Sequence, residues 1–263
     1  MDRHPQWFEL NFRKEDLRTD KDYINCIFED SAGNLWIGTD GGIIMRSSRT
    51  GSFSPLSRRG DFPDERVFCI VGDNNSNVYA GVRNAGIYKK NIASGEWTEL
   101  LGEPYIKSTR ITALAGGKLV FSNFCDNLYL FDSGTVRPLC KNRFEGDEIG
   151  GIVPDKTDSN IVFVASKRHG LCRVNINDDF FFEAIFQFSG VPAALRQCGS
   201  NLLLSTSRGL YVIDGNNKIS HITGKDAPRS LSSSAVSDAC FDSKGGLWIA
   251  TDKGVNYCSH VAD

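Results

Sequence analysis

The stretch Asp30-Ser31-Ala32-Gly33-Asn34-Leu35-Trp36-Ile37-Gly38-Thr39-Asp40-Gly41-Gly42 returns near the far end of the chain as Asp242-Ser243-Lys244-Gly245-Gly246-Leu247-Trp248-Ile249-Ala250-Thr251-Asp252-Lys253-Gly254. A chain that writes one phrase twice is built of repeats, and the repeat length constrains its fold more than any composition does. With the Trp position as a ruler, Tyr79, Val120, Phe163 and Leu203 mark four weaker copies, at spacings by subtraction of 43, 41, 43, 40 and 45 residues. A period of about 40 to 45 residues carrying several short strands belongs to propeller blades, not to helical arrays or β-helices. Six copies predict an all-β, six-bladed β-propeller of four-stranded blades, occupying residues 1–263 as a single domain.

Each copy has the same physical grammar. An apolar run such as Ile24-Asn25-Cys26-Ile27-Phe28 or Val67-Phe68-Cys69-Ile70-Val71 predicts a first, inner strand. A polar turn follows (Asp30 to Asn34, Asp73 to Asn77, Asp155 to Asn160, Asp242 to Gly246), with the Asp, Asn and Gly residues of hairpin chemistry. The second strand carries Trp36, Tyr79, Phe163 or Trp248, expected to pack between blades, with small residues such as Gly38, Gly81, Ala165 and Ala250 two positions on. A turn ending at Gly42, Gly86, Gly170, Gly209 or Gly254 starts the third strand. Asn127 takes that place in the third copy, Asn being the next most tolerant residue for positive φ. A half-polar fourth strand closes most copies, as in Glu96-Trp97-Thr98-Glu99-Leu100. The sixth copy stops at its third strand, Val255 to Cys258, whereas the chain opens on an orphan fourth-strand pattern, Gln6-Trp7-Phe8-Glu9-Leu10. The expectation is that this N-terminal strand completes the last blade and closes the ring, removing an open sheet edge.

The formal net charge of −2 and pI near 6.1 supply no global attraction for nucleic acid or anionic membrane. No stretch approaches the roughly 20 apolar residues of a membrane span, and Met1 to Lys14 lacks the apolar core of a signal peptide. Of the eight cysteines, Cys26, Cys69, Cys198 and Cys240 fall on inner strands of four different blades and none forms a C-x-x-C pair. They read as small buried hydrophobes, not as a disulfide framework.

The string Asp-Ser-x-Gly-Asn-Leu-Trp-Ile-Gly-Thr, as it stands from Asp30, with its near-copy from Asp242 in which Gly246 and Ala250 replace the Asn and the second Gly, resembles the two-component regulator propeller repeat. That repeat is found in periplasmic sensor regions of bacterial hybrid histidine kinases, best known from gut Bacteroides. The resemblance implies a sensor that responds to polysaccharide breakdown products. Such regions usually carry more blades than six, followed by a sandwich domain, a membrane helix and kinase modules, and none of these follow Asp263. The location expected is periplasmic for part of a receptor and cytoplasmic for a complete chain.

Ligands are expected on the face formed by the loops between second and third strands and by the interblade connections, held by a rigid ring. Those loops carry Arg83, Lys167, Arg168, His169 and Arg208, with Asp40, Asn84, Asp126, Asp252 and Lys253, and with Arg66, Arg110, Arg143, Arg196 and Arg229 on the connections. Arginine grips carboxylate and sulfate in bidentate fashion, so Arg83, Lys167, Arg168, His169 and Arg208 are the candidate ligand site, for an acidic oligosaccharide. The alternative reading of the same residues is an ordinary solvated or ion-paired loop surface. The tryptophans are read as packing residues, the turn acids as turn formers, and Asp238 as the partner of Arg196 in an internal ion pair. His4, His169, His221 and His260 lie on different elements and no catalytic motif is present, so no catalytic residue, metal ligand or cofactor is expected. The function expected is thus a non-enzymatic sensing or scaffold propeller, whose partners are an oligosaccharide and either a protein or a second copy. Two other classes stay open at this level, a propeller hydrolase or lyase with a channel metal and an intracellular protein-interaction platform.

Overall fold

The computed structural model describes residues 23–56, 62–73, 75–91, 94–102, 104–105, 108–123, 127–224 and 231–259. Among them, strands form six antiparallel sheets in chain order. Blade one holds β1 (Ile24–Glu29), β2 (Leu35–Thr39), β3 (Gly42–Arg46) and β4 (Phe53–Pro55); blade two holds β5 (Val67–Gly72), β6 (Val78–Val82), β7 (Gly86–Lys90) and β8 (Trp97–Leu101). Blade three is β9 (Ser108–Ala113), β10 (Leu119–Asn123), β11 (Leu128–Asp132) and β12 (Thr135–Pro138), and blade four is β13 (Ile149–Pro154), β14 (Ile161–Ser166), β15 (Gly170–Asn175) and β16 (Phe182–Phe186). Blade five comprises β17 (Pro192–Cys198), β18 (Asn201–Thr206), β19 (Gly209–Ile213) and β20 (Ile219–Ile222). Blade six has three described strands, β21 (Val236–Phe241), β22 (Leu247–Thr251) and β23 (Gly254–Cys258). The protein is a six-bladed β-propeller. The strand expected at Gln6 to Leu10 lies outside the described residues.

Every sheet is a simple meander, so the loops between second and third strands and the interblade connections share one face. The turns between first and second strands and between third and fourth strands share the other. The acidic turns of that second face are side-chain clamps. Asp30 accepts from the amides of Ala32 (3.0 Å) and Asn34 (2.9 Å) and from the Trp36 indole N–H (2.8 Å). Asp242 repeats this with Lys244 (2.9 Å), Gly246 (2.8 Å) and the Trp248 indole (3.0 Å), and Asp73 receives the Tyr79 hydroxyl (3.1 Å). The six-residue separation of Asp and aromatic in the repeat is therefore one hydrogen bond spanning the hairpin. Burial works to raise the Asp30 carboxyl, but the bonds from Asn34 and Trp36 outweigh it and hold it below the ordinary Asp value.

The core lies between blades. Trp36, Ile43, Val67, Ile70 and Trp97 form one cluster across blades one and two, with the Trp36 and Trp97 rings edge to face at 5.7 Å. Equivalent clusters fill the next four interfaces, around Ile87 and Ile111, Leu128 and Ile152, Leu171 and Leu195, and Leu210 and Ala239. Gly38 is small because a Cβ there would stand 2.5 Å from the Cys26 sulfur and 2.9 Å from Val67 of the next blade. Gly86, at φ +95°, turns into the third strand and passes against the Leu101 carbonyl, leaving no room for a side chain. Trp248, expected to be as buried as Trp36, is half-buried and packs on the exposed ring of Tyr257 at 4.6 Å.

Candidate ligand face and channel

All six first strands share one irregularity. The pairing with the second strand skips a residue after its first pair, at Asn25, Phe68, Thr109, Gly150, Ala193 and Ser237. A bulge frees backbone groups from the ladder and re-aims the strand. Arg110 uses two of the freed groups. From blade three its Nε donates to the Gly150 carbonyl of blade four (2.7 Å), and a terminal nitrogen donates to the Ala193 carbonyl of blade five (3.0 Å). The residues matching Arg110 in the other copies are Cys26, Cys69, Gly151, Ala194 and Asp238, read from the shared register. The sequence reading placed Arg110 among loop cations and missed its bracing role. The signal available was a long cation at a repeat position otherwise held by short side chains.

Arg196 and Asp238 form the expected ion pair, a bidentate one that links blades five and six. Arg66 and Asp40 form a second bidentate pair, at 2.6 and 2.8 Å, with Asn25 donating to the same carboxylate (2.8 Å). The Arg66 hydrogen bond holds the Asp40 carboxyl below its usual range. Thiols near the inner strands are held protonated: burial first, then the neighbouring Cys69, pushes Cys26 up to about 12, and burial pushes Cys69 up to about 11 against the field of Arg110. Thiols shifted this way are poor nucleophiles at neutral pH. Among the described residues, no three His, Cys, Asp or Glu side chains converge as a metal site.

The five candidate ligand residues all sit on loops between second and third strands, hence on one face, but they are differently engaged. Lys167 is paired with Glu148 (2.7 Å). The Arg168 guanidinium donates to the carbonyls of Glu145 (3.1 Å) and Gly146 (3.3 Å), and so fastens the connection between blades three and four. His169 lies edge-on to Phe144 and Phe182, with Nε2 at 3.2 Å from the Arg143 carbonyl. Arg83 and Arg208 are exposed and have no ion-pair partner among the described residues. Their loops are pinned through the backbone, Arg83 N–H to the Arg66 carbonyl (2.7 Å) and Arg208 N–H to the Thr206 hydroxyl (3.1 Å). Asp126 and Arg229 lie outside the described residues.

Two segments of this ring match a known family. Residues 20–41 and 230–253 match the model described as the two component regulator propeller. The chain carries two component regulator propeller repeats. A search of curated proteins finds no significant match. Among solved structures, the extracellular domain of a hybrid two component system from B. thetaiotaomicron superposes with a TM-score of 0.74 at 20% identity, covering 89% of this chain and 33% of that one. Virginiamycin B lyase from Staphylococcus aureus gives 0.67 at 12% identity, covering 90% and 84%. An auxiliary nutrient binding protein from Bacteroides ovatus gives 0.65 at 12%, covering 90% and 69%. These likenesses are of fold, which receptors, lyases and binding proteins share. The chain spans about a third of the extracellular domain it matches. No helix among its described residues is long and apolar enough to cross a membrane.

Proposed function

We propose that this chain is a non-enzymatic sensing or scaffold propeller, the ligand-receiving part of an extracytoplasmic two-component receptor. We assign its ligand as an acidic oligosaccharide, held on the loop face. The observation that carries the ligand class is the pair of exposed guanidinium groups, Arg83 and Arg208, on loops whose backbones are already fixed. A held loop backbone loses no further freedom when its side chain takes up a carboxylate or sulfate, and a charge-assisted bond, about twice as strong as a neutral one, offsets the ordering of the side chain itself. Lys167 adds a third charge, shared with Glu148. Arg168 and His169 support this face, since both are spent on the connection from blade three. The extracytoplasmic assignment and the sensing role rest on the repeat match and on the receptor ectodomain among the similar structures.

The test is a glycan array followed by calorimetry at two salt concentrations. Uronate- or sulfate-bearing oligosaccharides should bind and neutral ones should not. Binding should weaken from low to physiological ionic strength, where exposed charges are screened over about 8 Å. Arg83→Ala and Arg208→Ala should each cost about 1.5 to 3 kcal/mol of binding with an unchanged melt. No preference for charged glycans would remove the ligand assignment and leave the scaffold reading.

A further inference from the structure

Five blades share a backbone rung at the ligand-face end of their inner strands, among the described residues. The first residue of the loop between second and third strands donates its N–H to the carbonyl of the residue just before the first strand. Two residues well apart in sequence therefore stand side by side at the mouth of the ring. In blade four they are Lys167 and Glu148, a base beside an acid, and their side chains pair at 2.7 Å. In blade two they are Arg83 and Arg66, joined backbone to backbone at 2.7 Å. Two like charges on one rung repel each other unless a counter-charge stands near. The rung of blade one supplies it. Asp40 accepts from Arg66 Nε (2.6 Å) and Nη2 (2.8 Å), and Asn25 donates to the same carboxylate (2.8 Å). The Arg66 bond, with the field of Arg83 adding to it, holds the Asp40 carboxyl below its usual range.

One positive charge is left over. Arg66 and Asn25 take both Asp40 oxygens, so Arg83 lies within the field of that carboxylate and is not bonded to it. The exposed Arg83 guanidinium makes no side-chain hydrogen bond or ion pair among the described residues. Asp64 and Glu65 precede Arg66 in the connection, and neither forms an ion pair with either arginine. Arg66 engages Asp40 side-on, which leaves the end-on edge of its guanidinium, Nη1 and the second Nη2 hydrogen, with no acceptor among the described residues. We propose that Arg66 and Arg83 together grip one carboxylate or sulfate ester group of the acidic ligand, and that Asp40 is a built-in competitor that sets the strength of that grip. This rests on the loop face being the ligand-receiving face. A group of charge −1 leaves two arginines and one aspartate neutral as a cluster, and the planar guanidinium edge matches its two oxygens. Asp40 lines Arg66 up beside Arg83, yet its charge repels the incoming oxyanion. Arg208 lies on blade five, three blades round the ring, and has no part in this subsite.

NMR of the full chain, following the arginine Nε–H signals at constant ionic strength, tests this with methyl sulfate and then with uronate- and sulfate-bearing oligosaccharides. Methyl sulfate should shift the Arg66 and Arg83 signals together, with one apparent Kd. Arg66→Gln and Arg83→Gln should each weaken it at least about tenfold, the loss of one charge-assisted bond. Asp40→Asn keeps an oxygen for Arg66 Nε and removes one negative charge a few ångströms away, so it should tighten binding about fivefold. Arg208→Ala should leave methyl sulfate binding unchanged within about twofold. Binding of methyl sulfate in this pattern without binding of the oligosaccharides supports the subsite and removes the glycan assignment. Oligosaccharide binding that Arg66→Gln leaves untouched, or that Asp40→Asn weakens, overturns the subsite and leaves the glycan assignment standing. Arg83 carries no structural bond through its side chain, so Arg83→Gln keeps the test decisive should the Arg66 variant not fold.

Discussion

The Asp30 to Trp36 clamp makes a quantitative claim about why the repeat pairs these two residues. Trp36 is 2% exposed and sits between blades one and two against Trp97, so truncation to Ala removes a large aromatic from a site walled by two sheets. Such a loss costs about 3 to 5 kcal/mol. Trp36→Phe keeps much of the ring and deletes the N–H that reaches Asp30 at 2.8 Å, a bond to a charged acceptor worth about 1.5 to 3 kcal/mol, toward the lower figure because the carboxylate is only half-buried. Asp30→Asn also weakens the turn bonds from Ala32 and Asn34, so only a double-mutant cycle isolates the pair. The cycle should return a coupling of about 1.5 kcal/mol in urea unfolding at pH 7. The pH dependence fixes the sign independently. The folded-state carboxyl of Asp30 lies below the unfolded value near 3.9, so its contribution is present above that pH and is lost as pH falls through the folded pKa. Trp36→Phe removes one of the bonds that lower it, so the variant should lose less stability than the parent between about pH 5 and pH 2. A coupling near zero, or an acid limb unchanged by Trp36→Phe, would refute the claim that the clamp is an energetic unit.

Arg110→Ala should cost about 1.5 to 3 kcal/mol, since two bulge carbonyls lose a charged donor, and Arg110→Lys should restore little because it cannot span blades four and five together; urea midpoints decide this. Arg196→Met should cost no more than about 1 kcal/mol despite the bidentate geometry, because both side chains are partly solvent-exposed, and a loss above about 3 kcal/mol would show a desolvated pair instead. Alkylation at pH 7 followed by mass spectrometry should leave the buried Cys172 unmodified in the native state and label the half-buried Cys26 and Cys69 slowly, because their thiols are held protonated; rapid labelling of Cys172 would contradict the packing. His169→Ala should lower the melting temperature through loss of its contacts with Phe144 and Phe182, with acidic-glycan affinity measured by calorimetry unchanged within twofold.

The sequence by itself determined the blade. Strand order, turn positions, the aromatic and the small residue two positions on are all contained within one repeat, and the turns are enforced by neighbours a few residues away, as Asp30 is by Asn34 and Trp36. Local chemistry repeated at a fixed period is legible without coordinates. The ring brought in partners 22 to 83 residues apart, and these only the tertiary structure decided. Arg110 reaching Gly150 and Ala193 is one case, since nothing in the local sequence distinguishes it from a loop cation. Arg168 and His169 are another: their spacing put them on a loop between second and third strands, and only the fold shows that the connection from blade three packs against them and takes their donors. Trp36 and Trp248 carry the same motif and differ in burial because blade two packs on Trp36, whereas among the described residues no following blade packs on Trp248. A motif fixes what a side chain can do, and the neighbouring blade, supplied by distant chain, fixes what it does.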